Sequence, residues 1–393
     1  MPLFGDTSFI GTIIWIGFFV VSMFFYPRIM LMQMMGKLEQ TAIMLEGYTH
    51  KAKQIVTRRI SKNPSHDLRE KIGNFMEFFA IEPVNIDPYG ILNKLNHLVE
   101  LVEDKFKDFS RETAPKMNPE DQASLVGGLS GAITMNQIAK IVRHFVETIR
   151  KTKSLQLAMI LQMQMPFIEK VAKAMLNGTE TMANGWPMGD SVGPLVASHL
   201  IGDSRGKEIR DTIVVRKKIK GRNVVIIKAK GPGGRLGKPW EIVEKEVRRG
   251  KVAKIISIDA AGKLEGEKTG SIAEGVGVAM GSFYRAFIEN IATEKRVPIE
   301  SVAIKMAPEE AIMNMPPDVL KAVPKAIQLV ENNIKNTKRK GTIIVMGVGN
   351  TSGVGNNKKS IEQAEKKAKE ITRMMKIREE QEKPRKVWFR FGL

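Results

Sequence analysis

Among its 393 residues the chain has no cysteine. That absence excludes a disulfide framework, a thiolate nucleophile and any Cys-ligated metal, so neither a cysteine peptidase nor a zinc ribbon is encoded. Histidine is scarce too, with five in all. His50, His66, His97 and His144 stand at single positions with no histidine at ligand spacing, which reads as surface or hydrogen-bonded polar residues. Charge is missing altogether between Asp6 and Arg28, where FIGTIIWIGFFVVSMFFYP (Phe9 to Pro27) approaches the roughly 20 apolar residues that cross a bilayer core. No Lys or Arg precedes this run, so it lacks the basic start of a cleaved signal peptide and reads as a retained transmembrane helix. Arg28, Lys37, Lys51 and Lys53 follow it, which places the bulk of the chain on the cytoplasmic side of the cell membrane. Tyr26 fits an interfacial aromatic and Trp15, in mid-span, does not.

From Gln33 to about Met175 there is no strand-like alternation. Apolar residues recur instead at helical spacing, as Leu92, Leu95, Leu98, Val99 and Val102 do. Pro83, Pro88, Pro115, Pro119 and Pro166 predict a division into five or six helices, the first continuing out of the membrane as a stalk. Methionines cluster at Met30 to Met35 and at Met159 to Met165, and such flexible thioethers serve either as core filler or as an adaptable binding surface.

Beyond Gly202 the period changes. DTIVVRKKIKGRNVVIIKAKG reads as a β-hairpin over 211–230, carrying Arg216, Lys217, Lys218, Lys220, Arg222, Lys228 and Lys230. With the net charge of +20, these cations suit RNA, the ribosome or anionic lipid, although no aromatic interleaves them for base stacking. The alternative is a lysine-protected, solvated sheet edge. Next come a Gly-rich turn, an amphipathic helix from about Lys238 to Arg249, and an apolar strand, Val252 to Ile258, that delivers Asp259 at its carboxyl end. Ligands of open α/β sheets bind at that end. A second acid, Asp190 in NGWPMGDSVGPLV, stands before an apolar helix. Two such acids suit an acid/base pair or an oxygen-liganded divalent metal ion, and helix or loop capping is the plainer role for each.

PGGRLGKPWEIVEKEV, KIISIDAAG and TGSIAEGVGVAMG in this order resemble the core of the spore germination proteases. ANGWPMGDSVGPLV resembles those enzymes and also the hydrogenase maturation proteases, with Asn184, Asp190 and Gly193 in the places of their Asn, acid and Gly. Ala183 departs from the usual Gly, and no histidine follows Asp259, the last being His199, so a maturation-protease metal set lacks its third ligand. As a whole the chain also resembles an archaeal membrane-anchored family of unknown function. The resemblance implies an α/β peptidase-like fold, catalytic or metal-binding roles for Asp190 and Asp259, a protein substrate, and substrate contacts from Asn184, Gly193, Gly275 and Gly277.

Two more Gly-rich loops, GVGVAMG (Gly275 to Gly281) and GVGNTSGVGNN (Gly347 to Asn357), are not Walker loops, and the second competes with the Asp190 segment for the first-strand place of the pattern. Asn350 and Asn356 read as turn residues. The tail from Lys358 predicts a solvated, charged helix ending in Trp388, Phe389 and Phe391. The expected organisation is α+β and multidomain: a stub at 1–8, a transmembrane helix at 9–27, an all-α stalk and domain at 28–176, an α/β domain at 177–357 and a helical tail at 358–393. The expected function is a membrane-anchored hydrolase, with a non-catalytic tether for an anionic partner as the alternative.

Overall fold

A computed structural model describes residues 7–83, 90–278 and 281–382. The first 54 of them form one helix, α1 (Thr7–Ile60), which runs through Pro27 without a break. It is the one described helix long and apolar enough to cross a membrane, and its apolar stretch touches nothing else in the protein. Further along, α1 enters a helical domain with α2 (His66–Phe75), α3 (Ile91–Thr113), α4 (Pro119–Thr152) and α5 (Leu155–Ala183). Local signals start these helices. Ser65 caps α2, Ser154 caps α5, and Asn118 takes the amides of Glu120 and Asp121 at the head of α4, where Pro119 occupies a position needing no N–H. Leu38, Leu45, Leu125, Leu129, Met135 and Ile149 fill the core between α1, α4 and α5.

Among the described residues five helices stand where five or six were expected, but not all the prolines divide them. Pro115 and Pro119 bracket the turn between α3 and α4, whereas Pro166 sits inside α5. Its ring removes one N–H, which packing along the rest of a 29-residue helix outweighs. The helix therefore carries on to Ala183, past the boundary expected at 176. Pro88 lies outside the described residues.

A 3-10 turn (Gly189–Ser191) leads into α6 (Val192–Ile201) and then a sheet of β1 (Lys207–Ile209), β2 (Thr212–Ile219), β3 (Arg222–Ala229), β4 (Val252–Gly262), β5 (Ile272–Val276), β6 (Ile299–Met306) and β7 (Thr342–Gly347). Interspersed are α7 (Pro239–Arg249), α8 (Ser282–Glu294), α9 (Pro308–Ile312), α10 (Pro317–Asn336) and α11 (Lys358–Glu382). The strand order is β1-β2-β3-β7-β4-β6-β5, with β3, β7, β4 and β6 parallel and antiparallel strands at both edges. Helices cover both faces, which is why KIISI and TIIVM read as unbroken apolar runs. Ile256, Ile258, Ile343 and Val345 face α6, α10 and α11, while Ile255, Ile344 and Met346 face α7 and α8.

The tail departs from expectation. Ile361, Ala364, Ala368 and Ile371 form a stripe at helical spacing that is buried against the sheet's α6 face, so α11 is a core element with one charged side. Trp388, Phe389 and Phe391 lie outside the described residues.

Candidate active site

The centre of the parallel sheet brings the two sequence-predicted aspartates together. Asp259 lies near the carboxyl end of β4, only 6% exposed, with its Oδ1 accepting the amide of Ala260 at 2.7 Å. Asp190 rides on the 3-10 turn ahead of α6 and keeps a partial opening to solvent. Its carboxylate caps neither that turn nor α6. Instead Oδ2 accepts the backbone amide of Asn350, 160 residues away in the loop after β7, at 2.7 Å.

Glycine makes this closeness possible. At Gly193 a Cβ would lie 2.1 Å from the carbonyl oxygen of Val348 and 2.4 Å from that of Ile258, so only glycine lets the first turn of α6 rest on the ends of β7 and β4. Gly349 has φ of +123°, and a Cβ there would meet the carbonyl of Asp190 at 2.1 Å. The amide of Val348 closes the seam by donating to Ile258 O at 2.8 Å.

Both carboxyls are held above the usual carboxylate range. Burial pushes Asp259 up to about 8, the charge of Asp190 adds to this, and the Ala260 amide opposes it. Burial likewise raises Asp190 against the pull of the Asn350 amide. With its pKa at about 8, Asp259 retains its proton at neutral pH. Among the described residues no group of three or more His, Asp or Glu side chains is arranged to hold a metal ion, and His199 is engaged elsewhere, with Glu365 on α11 at 2.9 Å. Two carboxylates, each already accepting an N–H, fall short of the six or more oxygens that a hard divalent ion takes.

The loop after β7, which competes in sequence for the role of the Asp190 segment, is its structural partner. Asn350 Oδ1 accepts the amide of Ser352, Ser191 donates to Ser352 O at 3.0 Å, and Ser352 donates to Trp186 O at 2.8 Å. Buried Thr351 donates to the carbonyls of Lys230 and Gly233, fastening this loop to the PGGR turn. Asn356 accepts from Lys228 Nζ and Gly231 N. Beside the seam lies a cleft of about 740 Å³ between α3, α4 and the 230–238 loop, lined by Glu103, Phe106, Val126, Leu236 and Asn350 among others. Neither aspartate lines it, but Asn350, which holds Asp190, does.

Other sequence-predicted residues lie apart. Asn184 ends α5 and donates to Glu180 O at 2.8 Å. Gly275 belongs to edge strand β5, separated from β4 by β6, and Gly277 follows it with φ of +105° and open space around it. Neither reaches the aspartates, because β5 runs antiparallel and carries them away from the carboxyl end of β4.

The basic hairpin forms as expected but spends its cations internally. Arg216 pairs with Glu246 at 2.5 Å, Lys220 with Glu331 at 2.9 Å and Lys230 with Glu208 at 2.9 Å. Lys217 donates to the last carbonyls of α6, at Leu200 and Ile201, and Arg222 to those of Thr337 and Arg339. Lys228 is fully buried, with its pKa lowered by burial to about 7, so at neutral pH it carries only about half of the charge counted for it in the sequence. Only exposed Lys218 has no partner among the described residues. β3 is interior, paired with β7, and the hairpin is thus no solvated edge.

No curated protein and no solved structure matches the chain. A protein of unknown function (DUF1512) N-terminal domain matches residues 12–185, and a domain of unknown function (DUF1512) C-terminal matches residues 188–355. The two matches meet at the loop between α5 and the Asp190 turn, where the helical part gives way to the sheet, and the chain belongs to the DUF1512 family.

Proposed function

We propose that this protein is a membrane-anchored hydrolase of peptidase-like type, facing the cytoplasm, in which Asp190 and Asp259 act as a proton-sharing pair. The observation that carries the reading is the bond from Asn350 N to Asp190, which fixes one acid of a coupled pair beside the ends of parallel strands instead of leaving it as a helix cap. In such a pair the ionised carboxylate takes a proton from water while the protonated one donates to the substrate carbonyl or leaving group. Asp190, the more open of the two, is the base, and Asp259 the acid. The cleft ending at Asn350 supplies an approach of a size that suits a short extended peptide segment, with apolar contacts from Phe106, Val126 and Leu236. The proton-sharing arrangement is preferred over a metal centre because the donor set is too small.

The test is cleavage of a peptide library by the full-length protein in lipid nanodiscs. Asp190→Asn and Asp259→Asn are each expected to lower the rate by about 100-fold or more with the fold intact by circular dichroism. The wild-type rate is expected to fall as pH rises through about 8, where Asp259 gives up its proton. Cleavage equal in wild type and both variants would remove the pair from any chemistry.

A further inference from the structure

We propose that the tip of the α4–α5 hairpin is a second membrane contact, lying in the headgroup layer of the bilayer that α1 crosses. The proposal rests on the reading of α1 as the membrane span.

Side-chain contacts fix how the three long helices run. Thr41 donates to Glu169 at 2.9 Å and Arg59 to Ala183 O at 2.8 Å, so α1 and α5 are parallel. Arg143 meets Glu39 and Arg59 meets Asp121, both at 2.6 Å, so α4 runs antiparallel to them. The turn joining α4 to α5, at Lys153, therefore sits beside the stretch of α1 that begins just after Pro27. On this register Met159 and Ile160, at the start of α5, lie alongside residues 31 and 32 of α1, at about 1.5 Å per residue some 6–8 Å below the end of the apolar run, and Met163 and Phe167 follow further from the bilayer. The headgroup zone on each side of the hydrocarbon core is itself about 5–7 Å deep.

The surface facing outward there is apolar. Met159, Ile160, Met163 and Phe167 form one exposed stripe on α5, Met163 being 70% and Phe167 63% exposed, while Leu161 and Met165 on the other side fill the core. Met32 on α1 is likewise exposed beside them. No acid occurs from residue 148 to 168 or from 7 to 38, whereas Arg28, Lys37, Lys151 and Lys153 do, Arg150 being spent on Glu39 and Glu147. An apolar stripe with a cationic, acid-free collar complements anionic lipid headgroups over an acyl boundary. The Met-rich strings at 30–35 and 159–165 thus divide their residues between core and membrane contact.

The absence of cysteine allows the test in the full chain. Nitroxide labels are placed on Met159→Cys and Ile160→Cys, with Ile16→Cys as the span reference and Lys321→Cys, exposed on α10, as the water reference. The carrier is vesicles of phosphatidylcholine and phosphatidylglycerol. The expected ratio of oxygen to nickel-chelate collisions at Met159 and Ile160 is at least about threefold above that at Lys321 and below that at Ile16, and it falls when the anionic lipid is left out. A water-like ratio at both sites with a lipid-like Ile16 overturns the hairpin contact alone. Dipolar broadening between labels at Met159 also overturns it, assigning the stripe to a second copy. A water-like Ile16 overturns the anchor and the hairpin contact together.

Discussion

Gly193 shows how one missing methyl can decide whether a site exists. Its Cβ position overlaps two carbonyl oxygens on two strands, and neither can retreat without opening the sheet. Gly193→Ala is expected to cost about 1–3 kcal/mol in urea unfolding, the usual range for overpacking, and to separate Asp190 from Asn350. An unchanged midpoint would mean that α6 rests less tightly on the strand ends. Asp259 makes a prediction of a different kind. Its folded pKa, about 8, lies above the unfolded value near 3.9, so the folded state holds the extra proton. The stabilisation this brings is complete below about pH 4 and is lost as pH rises through about 8, at up to about 1.4 kcal/mol per pH unit. Comparing wild type with Asp259→Asn between pH 5 and 9 should show this slope in the wild type and its absence in the variant. Equal slopes would contradict a buried, proton-holding Asp259.

At the scale of elements, α11 is the sharpest departure from expectation. Ile371→Ala is expected to destabilise the protein by about 2–5 kcal/mol, as for a core residue, whereas a solvated position would change it by about 0.5 kcal/mol or less. Thermal unfolding separates the two. The strand bearing Asp259 and the hairpin were legible, because apolar runs and a Lys-Gly turn report local structure directly. The stripe of α11 was not, since two of its four buried residues are alanines among many charges and signal little apolarity. The role of Asn350 was also hidden. A backbone amide donates whatever side chain it carries, so no residue type marks its bond to Asp190. The surplus of lysine and arginine misled in the opposite direction: whether a cation is free or paired depends on partners such as Glu246 and Glu331, which are distant in sequence.

For the whole molecule, α1 links two readings that the sequence treats separately. Its apolar start is the expected anchor, and its far end is bonded to Ala183 and Asp121, next to the segment leading into Asp190. One unbroken helix therefore spans both the membrane reading and the domain that carries the carboxyl pair. This rod works as a ruler. From Pro27 to Arg59 it rises about 48 Å at 1.5 Å per residue, and that end is bonded to Ala183, where the chain turns toward Asp190. On the proposed reading as an anchored peptidase, a protein emerging from the same bilayer would have to extend about 15 residues, at roughly 3.3 Å each, to cover the length of this rod. On that reading short juxtamembrane loops are spared on grounds of reach alone, while long tails or soluble chains fall within range.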